Sequence, residues 1–353
     1  MIRTTNTYTT TTENKNTNEK YGSFCFSRGS AGYDHQAQWL IKDYFPTLSF
    51  GVVYGASGTL KSFQAIDIAC CIATNKPWCE KEVESGAVVY VAAEGQIGIS
   101  KRIKAWELAN GLCADNVFVL GNSVLLSEDS TQEQLITAIQ QIEDSHNVKV
   151  QLLILDTLAR CFSGDENSSR DMGAFIAGCD KVKAATSASV LAVHHTGKDS
   201  SKGARGSSVL RAACDYEFHV KRNGQSKLLT FSNTKQKEGV EMACLELEME
   251  TVDLGIVCDN QRPITSLARR KKAVQKEDNI KPKTHPIVDA LNNNFAGKAT
   301  RDQLRNLLHP EGTMDNTQRQ SFRRAIQALV DKGLITLEQH SNKATGTDII
   351  TVI

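Results

Sequence analysis

Eight consecutive residues carry the clearest chemistry of the chain: Gly55, Ala56, Ser57, Gly58, Thr59, Leu60, Lys61 and Ser62. They follow an apolar run, Phe50 to Tyr54, and open a segment with apolar residues at Ala65, Ile66, Ile68, Ala69 and Ile72. A strand, a Gly-containing loop, Lys-Ser and a helix make a cradle for nucleotide phosphates. Backbone N–H groups of the loop and the positive end of the helix face the anion. The Lys61 ammonium reaches the β and γ oxygens, and the Ser62 hydroxyl ligates magnesium. The stretch therefore predicts a nucleoside triphosphate held with Mg2+. Leu60 stands where the pattern G-x-x-x-x-G-K-[ST] has its last Gly. That position is expected in the first turn of the helix, with the Leu60 side chain pointing away from the phosphates.

A phosphate cradle sets a search for its partners. Asp156 ends the apolar run Leu152 to Leu155. A carboxylate at the C-terminal end of a parallel strand faces the ligand crevice and can hold magnesium with Ser62; the alternative is a strand-ending Asp that caps a turn. Glu94 follows the run Val88 to Ala93. Its strand is expected beside the one carrying the phosphate loop, or one removed, where Glu94 can deprotonate an attacking water; otherwise it begins the next helix. His194 and His195 end a further apolar run. Alternation does not settle which imidazole faces inward, and His195 is the candidate for a hydrogen bond near the γ-phosphate. Arg205 lies between Gly203 and Gly206. It can reach a phosphate of its own or a neighbouring subunit, as a charge for the transition state, or be a surface residue. Lys235 and Lys237 are cations of the same kind, or part of a solvated turn.

The elements that must position these groups follow from the pattern. Between about residues 35 and 260, short apolar runs alternate with amphipathic segments, the sign of an α/β fold with a parallel sheet. Strands are expected at 50–55, 86–92, 116–120, 150–156 and 188–194. Helices are expected at 61–75, 97–110, 130–144 and 169–186, with Ser130 and Glu133 as a capping box. Strands then follow closely at 214–221, 227–233 and 241–250, the first two joined at Asn223-Gly224. The expected division is a disordered tail over 1–34, a core over 35–261, a charged linker over 262–283 and a small domain over 284–353. That last domain has three amphipathic segments and a closing strand pair, as in a winged helix.

Composition narrows the classes. The chain has 353 residues and a formal net charge of +1, so overall charge names no partner. No apolar run approaches the ~20 residues of a membrane span, and no signal-peptide core is present, so a cytoplasmic protein without a membrane partner is expected. Ten cysteines form no C-x-x-C pair, which fits buried free thiols and no zinc site. Residues 268–353 hold 15 Lys and Arg against 9 Asp and Glu, an excess that suits an acidic partner such as DNA. Arg319, Arg323 and Arg324 lie on the segment expected to enter a groove. Alternatively the domain binds protein and its basic face is simply solvated.

Five ordered motifs resemble the RecA-like core of plasmid RepA-type hexameric helicases and related phage and plasmid ATPases. They are GASGTLKS (55–62), VYVAAEG (89–95), LLILDTLAR (152–160), LAVHHTGK (191–198) and RGSSVLR (205–211). The resemblance covers about residues 35–250. It implies that Lys61 binds ATP, Glu94 is the catalytic base, Asp156 holds Mg2+, His195 acts near the γ-phosphate and Arg205 acts in trans. Lys235 and Lys237 resemble the trans-acting K-x-R of DnaB-type helicases. A homo-hexameric ring around single-stranded DNA is implied, with loops 161–170 and 197–204 as candidate DNA contacts. The expected activity is ATP-driven translocation on or unwinding of DNA in replication of a plasmid, phage or prophage-like element. Two alternatives are a DNA-stimulated ATPase switch or loader without unwinding, and a nucleotide-regulated DNA-binding protein.

Overall fold

The computed structural model describes residues 18–94, 96–197, 204–270, 274–275, 285–310, 314–338 and 345–352. The chain divides into two compact units, Met1–Lys276 and Glu277–Ile353. The first begins with a hairpin of β1 (Asn18–Tyr21) and β2 (Phe24–Ser27), then a short pair, β3 (Trp39–Ile41) and β4 (Phe45–Pro46). The first hairpin lies inside the segment expected to be a disordered tail. Tyr21, Phe24 and Phe26 explain it, their rings meeting edge to face at 5.7 and 6.5 Å.

The α/β core then runs β5 (Phe50–Gly55), α1 (Lys61–Ala73), β6 (Ala87–Ala92), α2 (Gln96–Asn110) and β7 (Val117–Leu120). It continues with α3 (Asp129–His146), β8 (Val150–Asp156), α4 (Ser169–Thr186), β9 (Ser189–His195) and α5 (Ser208–Ala213). The strands and helices expected between residues 50 and 194 match to within about two residues, whereas the strands expected at 227–233 and 241–250 run on to Gln236 and Val257. Every residue of β5 and β6 is buried, as in strands covered on both faces. The capping box of α3 does not form: its N-cap is Glu128, with no side-chain cap bond.

A further parallel strand, β10 (Tyr216–Arg222), joins β5, and an antiparallel extension follows it: β11 (Leu228–Gln236), β12 (Leu245–Val257), β13 (Pro263–Arg269) and β14 (Val274–Gln275). The sheet order is β13-β12-β11-β10-β5-β9-β8-β6-β7, with β14 also on β12. From β10 through β7 all neighbours are parallel. Residues 263–269 thus belong to this sheet rather than to a linker. The reason is a buried ion pair, in which Arg269 on β13 meets Asp67 on α1.

The second unit has its own core, with Leu291, Leu304, Ile326 and Ile350 buried. Its order is α6 (Pro286–Asn294), β15 (Lys298–Thr300), α7 (Arg301–Leu308), α8 (Asn316–Asp331), β16 (Ile335–Glu338) and β17 (Ile349–Val352). The strands form an antiparallel sheet β15-β17-β16. Capping boxes start α7 (Thr300 with Gln303) and α8 (Asp315 with Gln318). No helix among the described residues is long and apolar enough to cross a membrane.

Candidate active site

The parallel strands end along one edge, and the sequence-predicted residues other than Lys235 and Lys237 collect there. The phosphate loop links β5 to α1. Gly58 has φ +77, a conformation that suits glycine. Gly55 has no room for a Cβ, which would meet the Val220 carbonyl and the Thr59 hydroxyl. Leu60 is not in the first helical turn as expected. It is the N-cap residue, in the left-handed region at φ 65 and ψ 29, where the pattern's glycine would be unstrained. Its side chain is partly buried against the core cluster containing Ala65 and Ile68, which favours a leucine there.

Lys61 Nζ donates to the carbonyls of Gly55 (2.9 Å) and Ala56 (2.8 Å) and lies 3.4 Å from His195 Nδ1. Burial pushes the ammonium down to about 8, against the opposing pull of Asp156 and Glu94. Burial also lowers His195, and the Lys61 charge beside it adds to that. Strand pairing explains the contact, because Gly55 is in register with His195. His195, rather than His194, therefore faces the loop. His194 is buried, with Nε2 2.8 Å from the Arg205 carbonyl.

Asp156 ends β8 and is buried. Tyr90 Oη donates to its Oδ2 at 2.6 Å, and the Ser62 hydroxyl also hydrogen-bonds to it. Burial raises the carboxyl, and these two hydrogen bonds oppose the rise. The Asp156–Thr157 peptide bond is cis. A hydroxyl beside one carboxylate is an oxygen set that fits Mg2+, which takes few protein ligands and completes its octahedron with water and phosphate. Among the described residues no cluster of three or more His, Cys, Asp or Glu is placed to hold a metal ion.

Glu94 is exposed just beyond β6. Its strand is farther from the loop than expected, since β9 and β8 both intervene between β5 and β6. Glu94 is still close enough for its charge to act on Lys61, His195 and Asp156. Its Oε1 accepts from Thr157 Oγ1 and Arg160 Nε, each at 3.2 Å.

Arg205 is tied to the same edge, its N–H donating to the His195 carbonyl at 2.9 Å. Its guanidinium pairs with Glu166, and that hydrogen bond keeps it firmly charged. Lys235 and Lys237 are not brought to this edge. Gln236 is in register with Tyr216, which pairs with Gly51 at the start of β5. That is the opposite end of the strand, about 13 Å from Gly55 at 3.3 Å per residue. Lys235 Nζ donates to the Arg211 and Ala212 carbonyls, and Lys237 Nζ to the Ala213 carbonyl and Asp215, at the negative end of α5. Arg205 and Lys235 nonetheless line one cleft of about 620 Å³ with Ser207, Ser208 and Arg211. Of the loop 161–170, Phe162 is buried; residues 198–203 of the other candidate DNA loop, with Lys198 and Lys202, lie outside the described residues.

Several contributors escaped sequence reasoning. Tyr90 could have been found from its period-two spacing with Ala92, and Arg160 from its place four residues after Asp156. Arg222 donates to the Gly58 carbonyl at 3.1 Å from the end of β10, and only the sheet order reveals it.

A family model described as an AAA domain, AAA_25, matches residues 17–201, more than half of the chain. A comparison with curated proteins finds no match.

Proposed function

The chain belongs to the AAA_25 family of AAA domains, and from that premise we propose that it is an ATP-hydrolysing, ring-forming motor that translocates on or unwinds DNA. The family is one of P-loop ATPases. The observation that carries the reading is the gathering of Lys61, Ser62 with Asp156, His195 and Glu94 at the ends of four parallel strands. In this reading Glu94 takes the proton of the attacking water. Lys61 holds the β and γ oxygens, and His195 hydrogen-bonds near the γ-phosphate. Mg2+ at Ser62 and Asp156 supplies charge that offsets the phosphate oxygens.

Ring formation is supported by the distribution of cations. Lys235 and Lys237 are a strand's length from their own loop, so a phosphate they touch belongs to a neighbour. Arg205 shares a cleft with Lys235. A heterologous interface that closes makes a ring, and a homo-hexamer is the form we propose. DNA as partner is supported by exposed Arg319, Arg323 and Arg324 on α8 and by the winged-helix order of the second unit. Replication of a plasmid, phage or prophage-like element is the setting that suits such a motor.

The test is ATP turnover with and without single-stranded DNA by the wild type, Lys61→Ala, Arg205→Ala and Glu94→Gln. DNA-stimulated turnover is expected in the wild type only, with partial recovery when the Arg205 and Glu94 variants are mixed. Lack of recovery on mixing removes the trans-acting arginine. Turnover without strand displacement replaces the motor with an ATPase switch.

A further inference from the structure

We propose that Arg160 is the positioning residue of the Glu94 carboxylate, aided by Thr157. The proposal rests on the reading of Glu94 as the base. Glu94 leaves the sheet where Ala92 pairs with Asp156, and the Ala93 N–H donates to the Asp156 carbonyl at 2.9 Å. That register sets Glu94 against the turn that follows β8. Two donors from the turn, Thr157 Oγ1 and Arg160 Nε, converge on one oxygen, Oε1.

The two sides of this contact are unequally fixed. Arg160 ends a 3-10 turn, Leu158–Arg160, whose first residue Leu158 and following residue Cys161 are fully buried in the core cluster with Leu155 and Phe175. The Arg160 N–H donates to the Thr157 carbonyl at 3.0 Å, and the Leu126 N–H to the Cys161 carbonyl at 3.2 Å. Glu94 stands at an exposed bend, and its side chain is 47% accessible. A carboxylate on such a bend samples many rotamers, and a base works only when aimed at its water. Two donors on Oε1 restrict the carboxylate plane and leave Oε2 to receive the proton. The Arg160 side chain is 64% accessible, so the ion pair contributes little to folding, and its value lies in orientation.

Steady-state ATP titrations test this with the full chain. Arg160→Gln is expected to lower kcat roughly tenfold with KM for ATP changed less than about twofold. Thr157→Val should shift kcat in the same direction by about threefold. Arg160→Lys should recover part of the loss, because an ammonium can still reach Oε1 without the fixed fork of a guanidinium. On the residual single-turnover rate of a Glu94→Gln background, measured with enzyme in excess of ATP, Arg160→Gln should cost nothing more, since its action passes through Glu94. Unchanged kcat in folded Arg160→Gln and Thr157→Val, or a full additional loss in the Glu94→Gln background, overturns the proposal. Loss in Glu94→Gln without loss in Arg160→Gln overturns only the role of Arg160. Wild-type turnover by Glu94→Gln removes the base itself.

Discussion

Arg205 and Glu166 of the same chain form a two-bonded fork, Nε to Oε2 at 2.7 Å and Nη2 to Oε1 at 2.8 Å. The fork joins the loop after β8 to the segment after β9, and the Glu166 carbonyl also accepts from the Ser207 N–H at 2.8 Å. For the trans-acting role proposed for Arg205, its guanidinium must first leave this carboxylate. Arg205 is half exposed but Glu166 is largely covered, so the exchange leaves a carboxylate unpaired, a cost that the stronger, triphosphate acceptor offsets.

Weakening the fork should therefore release Arg205. Glu166→Gln keeps the side-chain shape and removes its charge. Turnover is expected to rise by about two- to fivefold, matching a pair worth about 1 kcal/mol or less. The rise should vanish when Arg205→Ala is added. A fall in turnover in Glu166→Gln would mean that the fork is scaffold and that Arg205 acts where it stands.

Nucleotide affinity should depend on pH through Lys61. Its ammonium loses its proton at about 8 in the ligand-free protein because burial disfavours the charge. A bound triphosphate favours that charge and raises the value, so binding takes up a proton between the two. Affinity is then level below about pH 8 and falls as pH rises through it, by up to ~10-fold per unit. Folding carries the opposite sign. The buried charge costs stability below about 8, and that cost fades as pH climbs toward the ordinary lysine value of about 10.4. Calorimetric titration in two buffers of different ionisation heat checks the proton uptake.

How far the sequence could be read depended on whether a signal was local. The phosphate loop, its strand and its helix were legible because glycine, lysine and a change of period lie side by side. Strand order was not, since β8 and β9 enter between β5 and β6 through crossovers that no single stretch encodes. For the same reason Glu94 was expected nearer the loop than it is. Glu166 could not be matched to Arg205 across 39 residues. β13 read as linker because Arg269 and Arg270 suggest a solvated run, whereas Arg269 is buried on a partner in α1.

That buried partner makes a strong stability prediction. Asp67 and Arg269 are 3% and 7% exposed, and Asp67 Oδ1 also accepts from Trp106 Nε1 at 2.9 Å. Arg269→Met leaves the carboxylate buried without its cation and should cost ~3–5 kcal/mol. Adding Asp67→Leu should recover most of this, less ~1–3 kcal/mol for the stranded Trp106 N–H. Trp39, Trp78 and Trp106 all lie in the first unit, so denaturation followed by tryptophan fluorescence reports that unit alone. Equal stability of wild type and Arg269→Met would show the pair to be dispensable.

Leu60 separates backbone strain from packing. A non-glycine residue in the left-handed region costs ~1–2 kcal/mol, and here the leucine offsets part of that by resting on the core beside α1. Leu60→Gly removes both the strain and the packing, and adds ~0.5–1 kcal/mol of chain entropy lost on folding. These changes nearly cancel, so its stability should stay within ~1 kcal/mol of wild type. Leu60→Ala keeps the strain and loses the packing, and should be the less stable variant by ~1 kcal/mol. The order of midpoints in denaturant, glycine above alanine, is the test. Alanine above glycine would mean that the residue before Lys61 is not held at positive φ.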